Sequence, residues 1–252
     1  MKINSPILVS FCTIVMLSSC QKDKQPDTNA TLNKVKTYTE SIATPGSATI
    51  VATFNLGYDA NNRITSVTQA EIPGNKFSFS YTSDTKYSMD LFVAGAISIH
   101  EDFFLNSNSL FDSTYQYNDT QDTTTEKYVY NSNKQLITLK EYNYSKSYGS
   151  EVDNITSYTY DSDGNVVKAT DTDNQIETFD YYPDLAYPMP ITNPASKSVK
   201  AMNLVKTHKV TSNGYLVGST VYTYTFDSNK RISTITQTAD DGTVGTQTFT
   251  YF

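Results

Sequence analysis

His100 and His208 are the only histidines in the 252-residue chain. Two imidazoles leave few ways to build a general base, a metal ligand set or a nucleophile–base pair. No H-E-x-x-H, G-x-S-x-G or P-loop spacing accompanies them, so metallohydrolase, serine-hydrolase and nucleotide-binding chemistry lack their parts. Both cysteines, Cys12 and Cys20, fall near the N-terminus, and everything after them lacks a thiol nucleophile, a disulfide or a thiolate metal site. Asp59, Asp161 and Asp227 could be imagined as glycosidase acids. Each, however, holds the same place in a repeated unit, where a short acceptor bonds to its own turn backbone. Asp161 to Asn165 (DSDGN) has the composition of a calcium loop, yet its glycine comes two places early and no bidentate Glu follows. The chemistry-bearing residues therefore predict a protein that is not an enzyme, with no catalytic residues, no metal and no cofactor.

The other candidates are aromatic. From Tyr181 to Lys200 the chain runs YYPDLAYPMPITNPASKSVK, and Pro183, Pro188, Pro190 and Pro194 exclude a central strand there. Tyr181, Tyr182 and Tyr187 sit on this long loop. Aromatic rings on a Pro-stiffened loop can stack on a sugar ring or a peptide, or can plug the end of a sheet. They are the candidate ligand-binding residues.

These residues have to be held somewhere, and the N-terminus gives the address. Lys2 precedes an apolar run from Ile7 to Leu17, followed by Ser18, Ser19 and Cys20. That layout is a signal peptide, too short for a spanning helix. LSSC resembles the cleavage signal of bacterial lipoproteins, which implies removal of residues 1–19 and lipidation of Cys20. From Gln21 the chain is polar, with Pro26 and no apolar periodicity, so residues 20–34 are expected to be a lipidated Cys and a flexible tether. The folded part, 35–252, is expected to be one domain.

Without residues 1–19, the formal charge of −7 becomes −8 as Lys2 is lost. A chain so acidic has little to offer a phosphate backbone, and nucleic acid is excluded as a partner. With 20 Tyr, 12 Phe and no Trp, aromatic rings must supply much of the buried area.

Behind the tether a unit recurs: an aromatic strand, a polar four-residue turn, and a second strand with an aliphatic residue five positions after the turn opens. Phe54, Leu56 and Tyr58 lead into DANNRITSV; Tyr128 and Tyr130 into NSNKQLITL; Tyr158 and Tyr160 into DSDGNVVKA; Tyr222, Tyr224 and Phe226 into DSNKRISTI. Rings at i and i+2 share one strand face, and Thr159, Thr223 and Thr225 take the other. Asp163–Gly164, Asn213–Gly214 and Asp241–Gly242 suit tight two-residue turns with positive φ. After the turns apolar residues fall three apart, as at Ile64 and Val67, which calls for a bulge or for burial on both faces. The stretch from Met89 to Leu105 fits a short helix or a strand pair, and the strand pair is preferred. The pattern predicts an all-β fold, an antiparallel up-and-down meander of hairpins, curved or closed into a barrel-like sheet.

YDANNRITSVT and YTYDSDGNVVKAT look like the YD repeats of RHS-type proteins. Together with LSSC and the YYPDLAYP segment before a resumed strand at NLVK, the whole mature chain resembles Bacteroidota lipoproteins of unknown function, in a family described as porin-like in fold. The resemblance implies an outer-membrane setting and no catalytic residues. Gln21 after Cys20 is similar to outer-membrane sorting signals. The expected function is a lipid-anchored binding or scaffold protein of the cell envelope, facing the periplasm or the cell surface, with a glycan or an envelope protein as partner. A pore is the alternative, because FTYF at the C-terminus is similar to the ends of outer-membrane barrels. Against it, RITSVT and RISTIT offer too few apolar residues on either face to make a lipid-facing band. A carboxylate-dependent hydrolase is a more distant third.

Overall fold

The computed structural model describes residues 34–118, 122–145, 150–185 and 203–252; Cys20, the tether to Asn33 and Tyr187 lie outside them. Every regular element among the described residues is a strand. In chain order they are β1 (Val35–Ala43), β2 (Ile50–Tyr58), β3 (Ile64–Gln69), β4 (Lys76–Ser83), β5 (Lys86–Val93), β6 (Ala96–Leu105), β7 (Phe111–Asn118) and β8 (Thr123–Tyr130). There follow β9 (Leu136–Ser145), β10 (Ser150–Tyr160), β11 (Val166–Thr170), β12 (Gln175–Tyr181), β13 (Val205–Ser212), β14 (Tyr215–Phe226), β15 (Ile232–Ala239) and β16 (Val244–Tyr251). Each pairs antiparallel with its chain neighbours, and β1 pairs with β16 from Val35↔Tyr251 to Ala43↔Val244, closing the barrel. Closure leaves no free sheet edge. The Met89 to Leu105 stretch is a strand pair, β5 and β6, turning at Ala94 and Gly95.

Two kinds of hairpin alternate. Those leading from even to odd strands gather at one end of the barrel, here rim A, together with Lys34, Phe252 and residues 182–185; the others form rim B. Five rim-A turns share one geometry, opening at Asp59, Asn106, Asn131, Asp161 and Asp227. In each, the opening residue's Oδ1 accepts the N–H groups two and four places on. The fourth residue has positive φ: Asn62, Ser109, Lys134, Gly164 and Lys230. This corrects the two-residue expectation for Asp163–Gly164 and Asp241–Gly242, where only the glycine has positive φ and the turn spans four residues. The physical reason is the side-chain acceptor at the opening of the Asp161 turn and the bulge that follows. Asn213–Gly214 is the tight two-residue turn expected, with φ of 51° and 83°. The three-residue apolar spacing resolves as bulges, at Gly57/Tyr58, Val129/Tyr130, Thr159/Tyr160 and Thr225/Phe226.

Alternation then sorts the side chains. Inside, near rim A and along β1 to β5, Tyr38, Phe54, Leu56, Val67, Phe77 and Leu91 form the main core, with Ile232, Ile235 and Phe249 from across the seam. The Tyr38 and Phe54 rings stack at 4.7 Å, and Tyr87 stacks on Phe103 at 4.4 Å. Outside, the register aligns threonines from strand to strand: Thr225, Thr234, Thr248, Thr39 and Thr53 lie directly opposite one another across five strands.

Candidate functional site: the rim-A tyrosines and the polar lumen

Rim A is laced by tyrosines. Tyr58, Tyr81, Tyr160, Tyr181, Tyr224 and Tyr251, near the ends of even strands, each donate O–H to the carbonyl of the first residue of the preceding strand. The acceptors are Val35, Ile64, Leu136, Val166, Val205 and Ile232, at 2.6–3.0 Å. The repetition follows from register, because each ring sits one place past the residue opposite its acceptor. Burial pushes the Tyr58, Tyr81, Tyr160 and Tyr251 phenols up to about 12. Arg63 and Arg231 lie over the Tyr81 and Tyr251 rings at 4.1 Å, each held by its turn aspartate, Asp59 or Asp227, at 2.7 Å. Those aspartates are thus occupied by their own turns. In Asp59 the Arg63 backbone N–H is the leading cause that holds its carboxyl below the usual range. Asp161 is satisfied in the same way by the Asp163 and Asn165 N–H groups and by Asn165 Nδ2.

Two of the three loop tyrosines fall within this lacing. Tyr181 closes β12 and is bonded to Val166 O; Tyr182 donates to Tyr222 O at 2.9 Å and meets the Tyr224 ring edge-on at 6.1 Å. Both rings are partly buried, and the Lys206 ammonium lies 5.9 Å from the Tyr182 ring centre. Tyr187 lies outside the described residues, so the three are not seen together.

Away from rim A the inward positions of β6 to β13 turn polar. Glu126 faces Glu141 across β8 and β9, and Glu101 follows on β6, with Thr114 of β7 between the strands. Like charges directly opposite repel, and the lining answers with donors. Thr114 and Tyr128 hydroxyls both donate to Glu126 Oε2, and Asn143 Nδ2 donates to Glu141. Loss of water, reinforced by the Glu126 charge, pushes the Glu101 carboxyl up to about 8; burial also raises Glu126. Further round, Glu177 Oε2 lies 3.0 Å from His208 Nε2, and that contact, the leading cause, holds the Glu177 carboxyl below its usual value. The His208 ring stacks on Phe179 at 4.7 Å. His100 is on the outer wall, with Nδ1 2.6 Å from Asp90 Oδ1. Among the described residues no group of three or more His, Cys, Asp or Glu is arranged to hold a metal ion.

The luminal acids carry a signal that the sequence offers only after strand faces are assigned: Glu126 is two residues from Tyr128, and Glu141 two from Asn143, so each acid shares the face of its donor.

No family model matches the chain, and no curated protein matches it. Among solved structures it is similar to a porin-like protein from Bacteroides uniformis, at 14% identity and a TM-score of 0.60, over 87% of this chain and 97% of that one. A porin-like protein from Bacteroides vulgatus matches at 11% identity and a TM-score of 0.49, over 87% of this chain and 99% of that one. The fold is thus a closed, porin-like antiparallel β-barrel of sixteen strands.

Proposed function

We propose that the chain is a lipid-anchored, non-enzymatic binding or scaffold protein of the cell envelope, tied to the outer membrane through Cys20 while its barrel stands in water. The observation that carries this reading is the outward threonine row, Thr225, Thr234, Thr248, Thr39 and Thr53. A spanning barrel needs an apolar band on its lipid face, and each hydroxyl left unmatched in hydrocarbon costs roughly 2–7 kcal/mol. A row of threonines in water costs nothing of the kind. Lys34 lies at rim A, where Phe252 N–H donates to its carbonyl, so a tether from Cys20 would place rim A towards the membrane. Tyr181 and Tyr182 are then candidates to touch a ligand from that side, joined by Tyr187 if the sequence reading of their shared loop holds, with a glycan or an envelope protein as partner.

The alternative, an outer-membrane pore, is favoured by the closed ring and by the similarity to a porin-like structure. Fractionation separates the two. Substituting Cys20→Ala should move the folded protein from the membrane to the soluble fraction. A variant that stays with the membrane until detergent is added overturns the anchor and supports the pore.

A further inference from the structure

The outer wall is not uniform. Opposite the threonine rows, β7 and β9 carry outward tyrosines at i and i+2: Tyr115 and Tyr117 on one strand, Tyr142 and Tyr144 on the other. The register sets them in a grid, because Thr125 lies opposite both Tyr115 and Tyr142, and Thr123 opposite both Tyr117 and Tyr144. Three of the rings, Tyr115, Tyr117 and Tyr144, are 41–46% exposed. Along β7 the Tyr115 and Tyr117 centres are 6.2 Å apart. Across the Thr column, the two strands are separated by two strand spacings, about 9.5 Å.

The grid is steadied at its edge. Tyr117 stacks on His100 at 4.9 Å, and His100 is fixed by Asp90 at 2.6 Å. Asp102 lies opposite Tyr115 and is bonded to Lys86 at 3.2 Å. Lys127 sits 5.8 Å from the Tyr142 ring centre. The result is a set of spaced rings on one wall, Tyr115 and Tyr117 tilted by 48° to each other, flanked by carboxylates, hydroxyls, two lysines and an imidazole.

We propose that this grid binds an extended, uncharged β-1,4-linked polysaccharide. The sugar rings' apolar C–H faces would stack on the tyrosines, and their hydroxyls would bond to the flanking Asp102, Thr123 and Thr125. Two strand spacings approximate the disaccharide repeat of such a flat chain, so alternate sugars meet alternate Tyr columns. A protein partner would favour a contiguous, dry aromatic centre, which the Thr column interrupts. An anionic membrane surface is disfavoured by a chain of net charge −7.

The site rests on the reading that the outer wall meets water, and its test is separate from the Cys20 test. The full chain in mild detergent is run through native gels containing glucomannan, chito-oligosaccharide conjugate, glycogen or no polymer. Retardation by either β-1,4-linked probe and not by α-linked glycogen is expected. Tyr115→Phe with Tyr142→Phe should keep it, and Tyr115→Ala with Tyr142→Ala should weaken it roughly tenfold or more. Thr125→Arg, which fills the gap and leaves the rings in place, should abolish retardation and keeps the test decisive if the Ala pair does not fold. Equal mobility in all four gels, unchanged retardation of Thr125→Arg, or binding to anionic vesicles alone would overturn the proposal. Release of Cys20→Ala without any retardation would remove the polysaccharide site and leave the anchor reading standing.

Discussion

Tyr160 Oη donates to the carbonyl of Leu136 across a distance of 2.7 Å, joining the last residue of β10 to the first of β9. Five further tyrosines repeat the bond around rim A, so one end of the barrel is fastened by phenols. Bulges disrupt the ladder locally, and at these strand ends the ring hydroxyl supplies a donor to the backbone carbonyl.

Removing one such hydroxyl should cost about 1 kcal/mol. Tyr160→Phe is therefore expected to lower the free energy of unfolding by that amount, read as a lower denaturant midpoint at unchanged slope. In the parent protein this phenol should ionise near 12 rather than 10, visible as a late phenolate step in a spectroscopic titration. An unchanged midpoint would mean that water serves the Leu136 carbonyl equally well.

The turn chemistry makes an opposed pair of predictions. Gly164 has φ of 88°, and Gly164→Val should destabilise by about 1 kcal/mol or more, since a β-branched side chain collides with the backbone there. Lys134 holds φ of 62° at the equivalent position of the β8–β9 turn. Lys134→Gly should stabilise slightly or be neutral, because the relief of backbone strain is partly offset by the higher entropy of the unfolded chain. Thermal melts of both check the assignment.

Glu101 gives a pH signature. Its folded-state value of about 8 stands above an ordinary 4.5, so the folded protein binds more protons than the unfolded chain between those values. Stability should accordingly fall as pH rises from about 4.5 to about 8, and the loss is complete above that window. Glu101→Gln keeps the neutral shape and should flatten this slope, making the variant the more stable protein above pH 8. Parallel slopes in denaturant titrations at pH 5 and pH 9 would show that the pH dependence does not come from Glu101.

Tyr182 is tied to Tyr222 and packed on Tyr224, and Tyr182→Ala is expected to lower the melting temperature measurably. A variant with unchanged melting but lost ligand retention would assign the ring to binding rather than to packing.

Much of this fold was legible because hairpins are local. The Tyr-and-turn unit marked the rim-A turns at Asp59, Asn131, Asp161 and Asp227, and the three-residue spacing marked their bulges. Closure was not legible: a strand's alternation tells which residues share a face, but not that Val35 meets Tyr251 across the seam. The Glu126–Glu141 pair was missed for the same reason, since only cross-strand register brings two distant acids together. The Tyr115/Tyr117 and Tyr142/Tyr144 pairs stood in the sequence as YQY and YNY, identical in spacing to the inward Tyr128/Tyr130 pair. Their outward direction depends on the bulge count before them.

The most direct measurement of where the barrel stands uses the absence of tryptophan from the chain. Thr248→Trp places one reporter in the centre of the outward threonine row, in full-length lipidated protein reconstituted into vesicles. The account predicts red-shifted emission, quenched by an aqueous quencher and indifferent to brominated acyl chains. Blue-shifted emission quenched by brominated lipid and shielded from the aqueous quencher would put the outer wall in the bilayer and contradict it.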